Sequence, residues 1–77
     1  MTLEEQVIKI LAKELRLKLE VVVPTALLKE DLGADSLDAL ETVVALEHAL
    51  HIVYPEDSHE HIKTVQDIID ITRKLVK

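Results

Sequence analysis

Leu3, Val7, Ile10, Leu11 and Leu15 recur at i, i+4, i+7, i+8 and i+12, a spacing that lines one face of an α-helix and neither face of a strand. Glu4 and Glu5 fall in the first turn and Lys13 and Arg16 in the last, so both ends complement the helix dipole and the pattern predicts a helix over residues 3 to 16. A second periodic run covers Ser36 to Leu50. A third begins at Thr64, which can cap, with Asp67 three residues on and Val65, Ile68, Ile69, Thr72, Leu75 and Val76 on one side. Leu17 to Val23 is rich enough in Leu and Val to suggest a strand, but no second strand exists to pair with it. Unpaired strand backbone is costly, so Leu17 to Leu32 reads as a long ordered connection with room for one helical turn. Pro55 breaks the second run by pushing Tyr54 out of helical geometry, and Glu56 to Ile62 suits one short helix. The fold expected is a single all-α domain over residues 1–77: a small four-helix bundle of three main helices and one short one, with a long loop between the first two.

A chain of 77 residues can build only a small core, and with no cysteine neither a disulfide nor a thiolate metal site can reinforce it. The start Met1-Thr2-Leu3-Glu4-Glu5 lacks the basic and apolar regions of a signal peptide, and no apolar run approaches the ~20 residues that span a bilayer. A cytoplasmic protein, monomeric and without membrane insertion, is expected. The net charge of −6 is unevenly spread: Glu30 to Ile62 holds nine acidic residues and no Lys or Arg, leaving six acids against nine bases elsewhere. Such a surface repels nucleic acid and steers basic protein patches toward itself.

The acidic segment contains Asp31-Leu32-Gly33-Ala34-Asp35-Ser36-Leu37-Asp38, with the only glycine of the chain three positions ahead of Ser36. A sharp turn there places Ser36 at a loop-to-helix junction, where free backbone N–H groups and the positive end of the dipole suit a phosphate. Along the helix that follows, Ala39, Val43, Leu46 and Leu50 form a core stripe. Leu37, Leu40, Glu41, Val44 and His48, with Glu47 at the edge, form an apolar face with an acidic rim, which suits a docked partner.

These residues closely resemble the acyl carrier proteins, especially the discrete carriers of type II fatty acid synthesis. The likeness runs on through Ala45-Leu46-Glu47 and Ile62-Lys63-Thr64-Val65-Gln66-Asp67, nearly the whole chain in register. It implies that a phosphopantetheinyl transferase esterifies Ser36 with 4′-phosphopantetheine from coenzyme A, and that acyl chains ride on the arm's thiol and fold into the bundle. It also implies that the second helix meets basic patches on the synthase enzymes through Asp35, Asp38, Glu41 and Glu47 and the apolar Leu37, Leu40 and Val44. Leu28, Leu46, Leu50, Tyr54, Ile62 and Ile68 are the residues expected around the acyl chain. The chain departs from the family where it has Leu28 and Leu50 in place of phenylalanines, Arg16 in place of a glycine and Tyr54 in place of an isoleucine.

Other roles for the same residues are weaker. Ser36 could serve only as a helix cap. As a catalytic serine it lacks a base: His48, the nearest histidine in sequence, would lie ~18 Å away along the helix, at ~1.5 Å per residue. His48, His51, His59 and His61 show no metal-ligand spacing, and solvated histidines are expected, with no metal and no catalysis. A carrier for polyketide, peptidyl or aminoacyl units, or an unmodified helical adaptor, remains the alternative to a carrier of fatty acid synthesis.

Overall fold

The computed structural model describes residues 2–76. Three helices, α1 (Leu3–Leu15), α2 (Ser36–Leu50) and α3 (Val65–Leu75), form the frame, with single 3-10 turns at Leu19–Val21 and Ser58–Glu60. Every helix opens in the same way. Thr2, Asp35 and Thr64 each accept the N–H of the residue three positions on, and Glu5, Asp38 and Asp67 accept in return the N–H of the cap residue. Each box satisfies two amides that would otherwise have no partner, and losing such a cap costs about 1 kcal/mol.

The helix ends carry no comparable sequence signal. α1 stops one residue short of the expected range because Arg16 turns left-handed, at φ 57°, and α2 stops likewise at His51, at φ 56°. Glycine usually holds such positions, and a side chain there costs about 1–2 kcal/mol. The expected helix over Glu56 to Ile62 shrinks to the 3-10 turn Ser58–Glu60. Asp57 is left-handed, at φ 63°, and the Pro55 carbonyl accepts both the N–H of Ser58 and its hydroxyl, so the chain spends its first residues on a turn.

The long connection also differs from expectation. Residues 24–28 find their pairing partner in the start of α3, which periodicity assigns to a helix. Leu28 N–H donates to Lys63 O at 2.8 Å, Val65 N–H to Ala26 O at 3.1 Å and Gln66 N–H to Pro24 O at 2.9 Å, around one antiparallel bridge, Leu27 to Thr64. The free amides at the start of α3 are thus consumed by loop carbonyls.

Val7, Leu11, Val43, Leu46, Val65, Ile68 and Ile69 meet in one core, joined from the connections by Val22, Ala26, Leu28, Leu32, Ala34, Tyr54 and Ile62. Burying each large aliphatic side chain contributes about 1.5–3 kcal/mol. Leu75 is only half-buried and Val76 is exposed, so the apolar side of α3 loses its burial at the last turn. Both α2 and α3 pack on α1. Tyr54 bridges them: its N–H donates to Glu47 Oε2 on α2 at 2.8 Å, and its hydroxyl bonds Thr72 Oγ1 on α3. No helix among the described residues is long and apolar enough to cross a membrane.

Candidate functional site

Most residues of the stretch from Asp31 to Asp38 have a local task, and together they leave the Ser36 side chain without one. Asp31 Oδ2 accepts Leu27 N–H at 2.7 Å, and the N–H groups of Asp31 and Leu32 both return to Leu27 O, closing a turn. Leu32 and Ala34 anchor that turn in the core. Between them Gly33 sits at φ 69°, a left-handed conformation open to glycine at little cost, and no atom lies within 4 Å of where a Cβ would project. Asp35 then caps α2 and exchanges hydrogen bonds with Asp38 at 3.0 and 3.2 Å. The cap is therefore Asp35, which leaves Ser36 as the first helical residue. Its side chain is exposed, and its hydroxyl makes no hydrogen bond among the described residues.

The backbone around Ser36 is as unengaged as its side chain. Asp35 N–H, Asp38 N–H and Ala39 N–H are satisfied by Asp38, Asp35 Oδ1 and Asp35 O, while the amides of Ser36 and Leu37 find no partner among the described residues. At the matching positions of α3 the amides are taken by Ala26 O and Pro24 O. Two free N–H groups at the positive end of a helix, beside an unbonded hydroxyl, favour an anion attached to that hydroxyl.

A cleft of about 560 Å³ opens beside Ser36, between the long connection, the start of α2 and the segment 59–63. Its buried side is apolar, formed by Leu28, Ala34, Ala39 and Ile62, and its rim carries Lys29, Lys63 and the half-buried His59. Of the residues expected around an acyl chain, only Leu28 and Ile62 line this cleft. Leu46, Tyr54 and Ile68 are buried elsewhere in the core, and Leu50 is half-buried against it. Sequence reasoning missed Ala34 and Ala39, whose small size beside Ser36 was the available signal. It also missed His59, Lys29 and Lys63, for which there was none. The histidine that shares a cleft with Ser36 is thus His59, not His48, and no hydrogen bond joins the two.

Along α2 the expected outward face is present. Leu37 is 61 % exposed, Leu40 40 % and Val44 42 %, and Asp35, Glu41 and His48 are exposed beside them. Glu47 differs: it is half-buried, and one carboxylate oxygen is committed to Tyr54 N–H. The opposite stripe buries Ala39, Thr42, Val43 and Leu46, with the Thr42 hydroxyl satisfied by Asp38 O at 2.9 Å. No group of three metal-ligating side chains converges among the described residues.

Two ionisable groups near the site have shifted affinities for protons. Burial pushes the Tyr54 phenol above its ordinary value of 10.0, with the Glu47 charge adding to the effect and the Thr72 hydrogen bond opposing it. The Asp67 carboxyl, at the start of α3, is held below its ordinary 3.8 chiefly by Lys63 N–H, with Thr64 contributing.

Among known families, the phosphopantetheine attachment site family has a model that matches this chain over residues 5–71. That range takes in all of α2, most of α1 and α3, and the connections that shape the cleft.

Proposed function

Because the chain belongs to the phosphopantetheine attachment family, whose domains bear covalently attached 4′-phosphopantetheine, we propose that it is an acyl carrier protein with the arm on Ser36, serving enzymes of fatty acid synthesis. The observation that carries this reading is the free Ser36 hydroxyl at the mouth of an apolar cleft, with two unpartnered amides beside it.

The arm supplies a terminal thiol on which cargo rides as a thioester. The chain's own residues present it. Ser36 offers its Oγ for a phosphodiester, and the amides of Ser36 and Leu37 favour the charge so placed. With no base hydrogen-bonded to Ser36, activation of the hydroxyl falls to the transferase. Leu28, Ala34, Ala39 and Ile62 offer the cargo a surface out of water. Leu37, Leu40 and Val44, rimmed by Asp35, Asp38 and Glu41, form the face on which basic partner surfaces dock. The carrier itself performs no chemistry. The match of Gly33-Ala34-Asp35-Ser36-Leu37-Asp38 to the discrete fatty acid carriers favours that pathway over polyketide, peptidyl or aminoacyl cargo.

Intact mass after incubation with coenzyme A, Mg²⁺ and a promiscuous phosphopantetheinyl transferase tests the assignment. One added phosphopantetheine on the parent and none on Ser36→Ala is expected. No addition to a folded parent with several transferases would overturn it and favour an unmodified adaptor.

A further inference from the structure

The cleft beside Ser36 stops at a wall. Leu28, Ala34 and Ile62 belong both to the cleft lining and to the buried core that holds Leu46, Tyr54 and Ile68, so a chain that goes deeper than the cleft has to enter that core. That interior is occupied. Tyr54 is 5 % exposed, and Leu46 and Ile68 are at 0 and 1 %. Tyr54 is also held at both ends. Its amide is tied to Glu47 on α2. At the other end Thr72 Oγ1 already donates to Ile68 O at 2.7 Å, so the phenol must be the donor to Thr72. The pinned residue thus ties the end of α2 to α3 by a hydrogen bond at each end.

We propose that Tyr54 is a specificity-determining plug, which confines cargo to the cleft beside Ser36 and makes this a carrier of short acyl chains. The proposal rests on Ser36 bearing the arm. A short chain covers the apolar wall of Leu28, Ala34, Ala39 and Ile62. A longer one can enter the interior only by expelling a buried aromatic ring and breaking its hydrogen bond to Thr72, so its remaining carbons stay outside, in water or against a partner. An aliphatic side chain at this position would have no polar end to anchor and no ring to move.

The experiment loads Ser36 with non-hydrolysable pantetheine amides bearing acetyl, butyryl, hexanoyl, octanoyl and decanoyl groups, checks each by intact mass, and reads the thermal midpoint and the near-ultraviolet signal. Tyr54 is the only tyrosine and the chain has no tryptophan, so that signal reports on the plug alone. In the parent the midpoint should rise over the first members and level off before decanoyl, with an unchanged tyrosine spectrum throughout. Tyr54→Phe keeps the ring and should level off at the same length. Tyr54→Leu should keep rising to longer chains, and Tyr54→Val does the same service if the leucine variant folds poorly. A parent midpoint that climbs through decanoyl, a tyrosine spectrum that shifts with the longer chains, or identical profiles in parent and Tyr54→Leu would each overturn the plug. Absence of any loading would overturn the Ser36 assignment, and the plug as a determinant of cargo with it.

Discussion

Glu47 and Glu41 are both acids on the outward side of α2, and removing each should have a different consequence. Glu47 Oε2 accepts Tyr54 N–H at 2.8 Å and holds the segment after α2 against the helix, whereas Glu41 is exposed and makes no hydrogen bond. A hydrogen bond to a charged acceptor contributes about 1.5–3 kcal/mol when buried, and half-burial of Glu47 brings this to about 1–2 kcal/mol. In a domain of this size each kcal/mol moves the midpoint by about 4–8 °C, so Glu47→Ala should melt roughly 5–15 °C below the parent. Glu47→Gln keeps an oxygen at the same place and should recover most of the loss. Glu41→Gln should lie within about 0.5 kcal/mol of the parent. The rates of phosphopantetheine transfer then separate docking from folding: Glu41→Lys should slow transfer at low salt and approach the parent at high salt, since exposed charges are screened. Thermal unfolding by circular dichroism and transfer followed by intact mass are the assays. A Glu47→Ala protein that melts with the parent, or a Glu41→Gln protein that melts far below it, would refute the division of labour.

At the end of α2, His51 is exposed and left-handed, so His51→Gly should stabilise the fold by about 0.5–1 kcal/mol, the relief of backbone strain less the extra freedom of glycine in the unfolded chain; urea unfolding would show it as a raised midpoint. The alkaline side of the stability profile should belong to Tyr54. Its folded value lies above 10.0, so its contribution is full below pH 10, falls as pH rises through the folded value, and is absent in Tyr54→Phe. On the acid side Asp67 has the opposite sign: its contribution is full above the ordinary 3.8 and is lost as pH falls through the lowered folded value, a slope that Asp67→Asn should flatten.

The start of α3 was legible because its cap is written in adjacent residues, and that of α1 because Glu4 and Glu5 open its apolar periodicity. Thr2 with Glu5, and Thr64 with Asp67, lie three apart, and the side chain and amide that meet are set by local geometry alone. The same rule assigns the cap of α2 to Asp35, since Asp38 also lies three positions on, and not to Ser36, although serine favours caps too. The ends were less legible for the converse reason. Arg16, His51 and Asp57 adopt left-handed backbone, which histidine and aspartate enter more readily than most residues but which their identity alone does not predict. The pairing of residues 24–28 with 63–66 was invisible because it joins a loop to a helix start, two kinds of segment that no periodicity relates.

The same distinction between local and long-range information governs the site. Display of Ser36 depends on residues within five positions of it: a turn closed by Asp31, a left-handed glycine, a cap at Asp35. A reading of those residues alone therefore reaches the exposed serine proposed to carry the arm. The space beside it depends also on side chains that arrive from other segments of the chain, and there the aliphatic and aromatic character of a residue decides less than its partner does. Ile68 and Leu46 would line an acyl pocket by type, and here they are buried in the core with Tyr54, whose hydroxyl is bonded to Thr72. The departure from isoleucine to tyrosine at position 54 acquires meaning only once Thr72 is seen opposite it. On the proposed reading the ring at position 54 limits how much of the interior a chain can reach and Thr72 only anchors its hydroxyl, so Thr72→Val should leave the limiting length where Tyr54→Phe leaves it, whereas Tyr54→Leu should extend it.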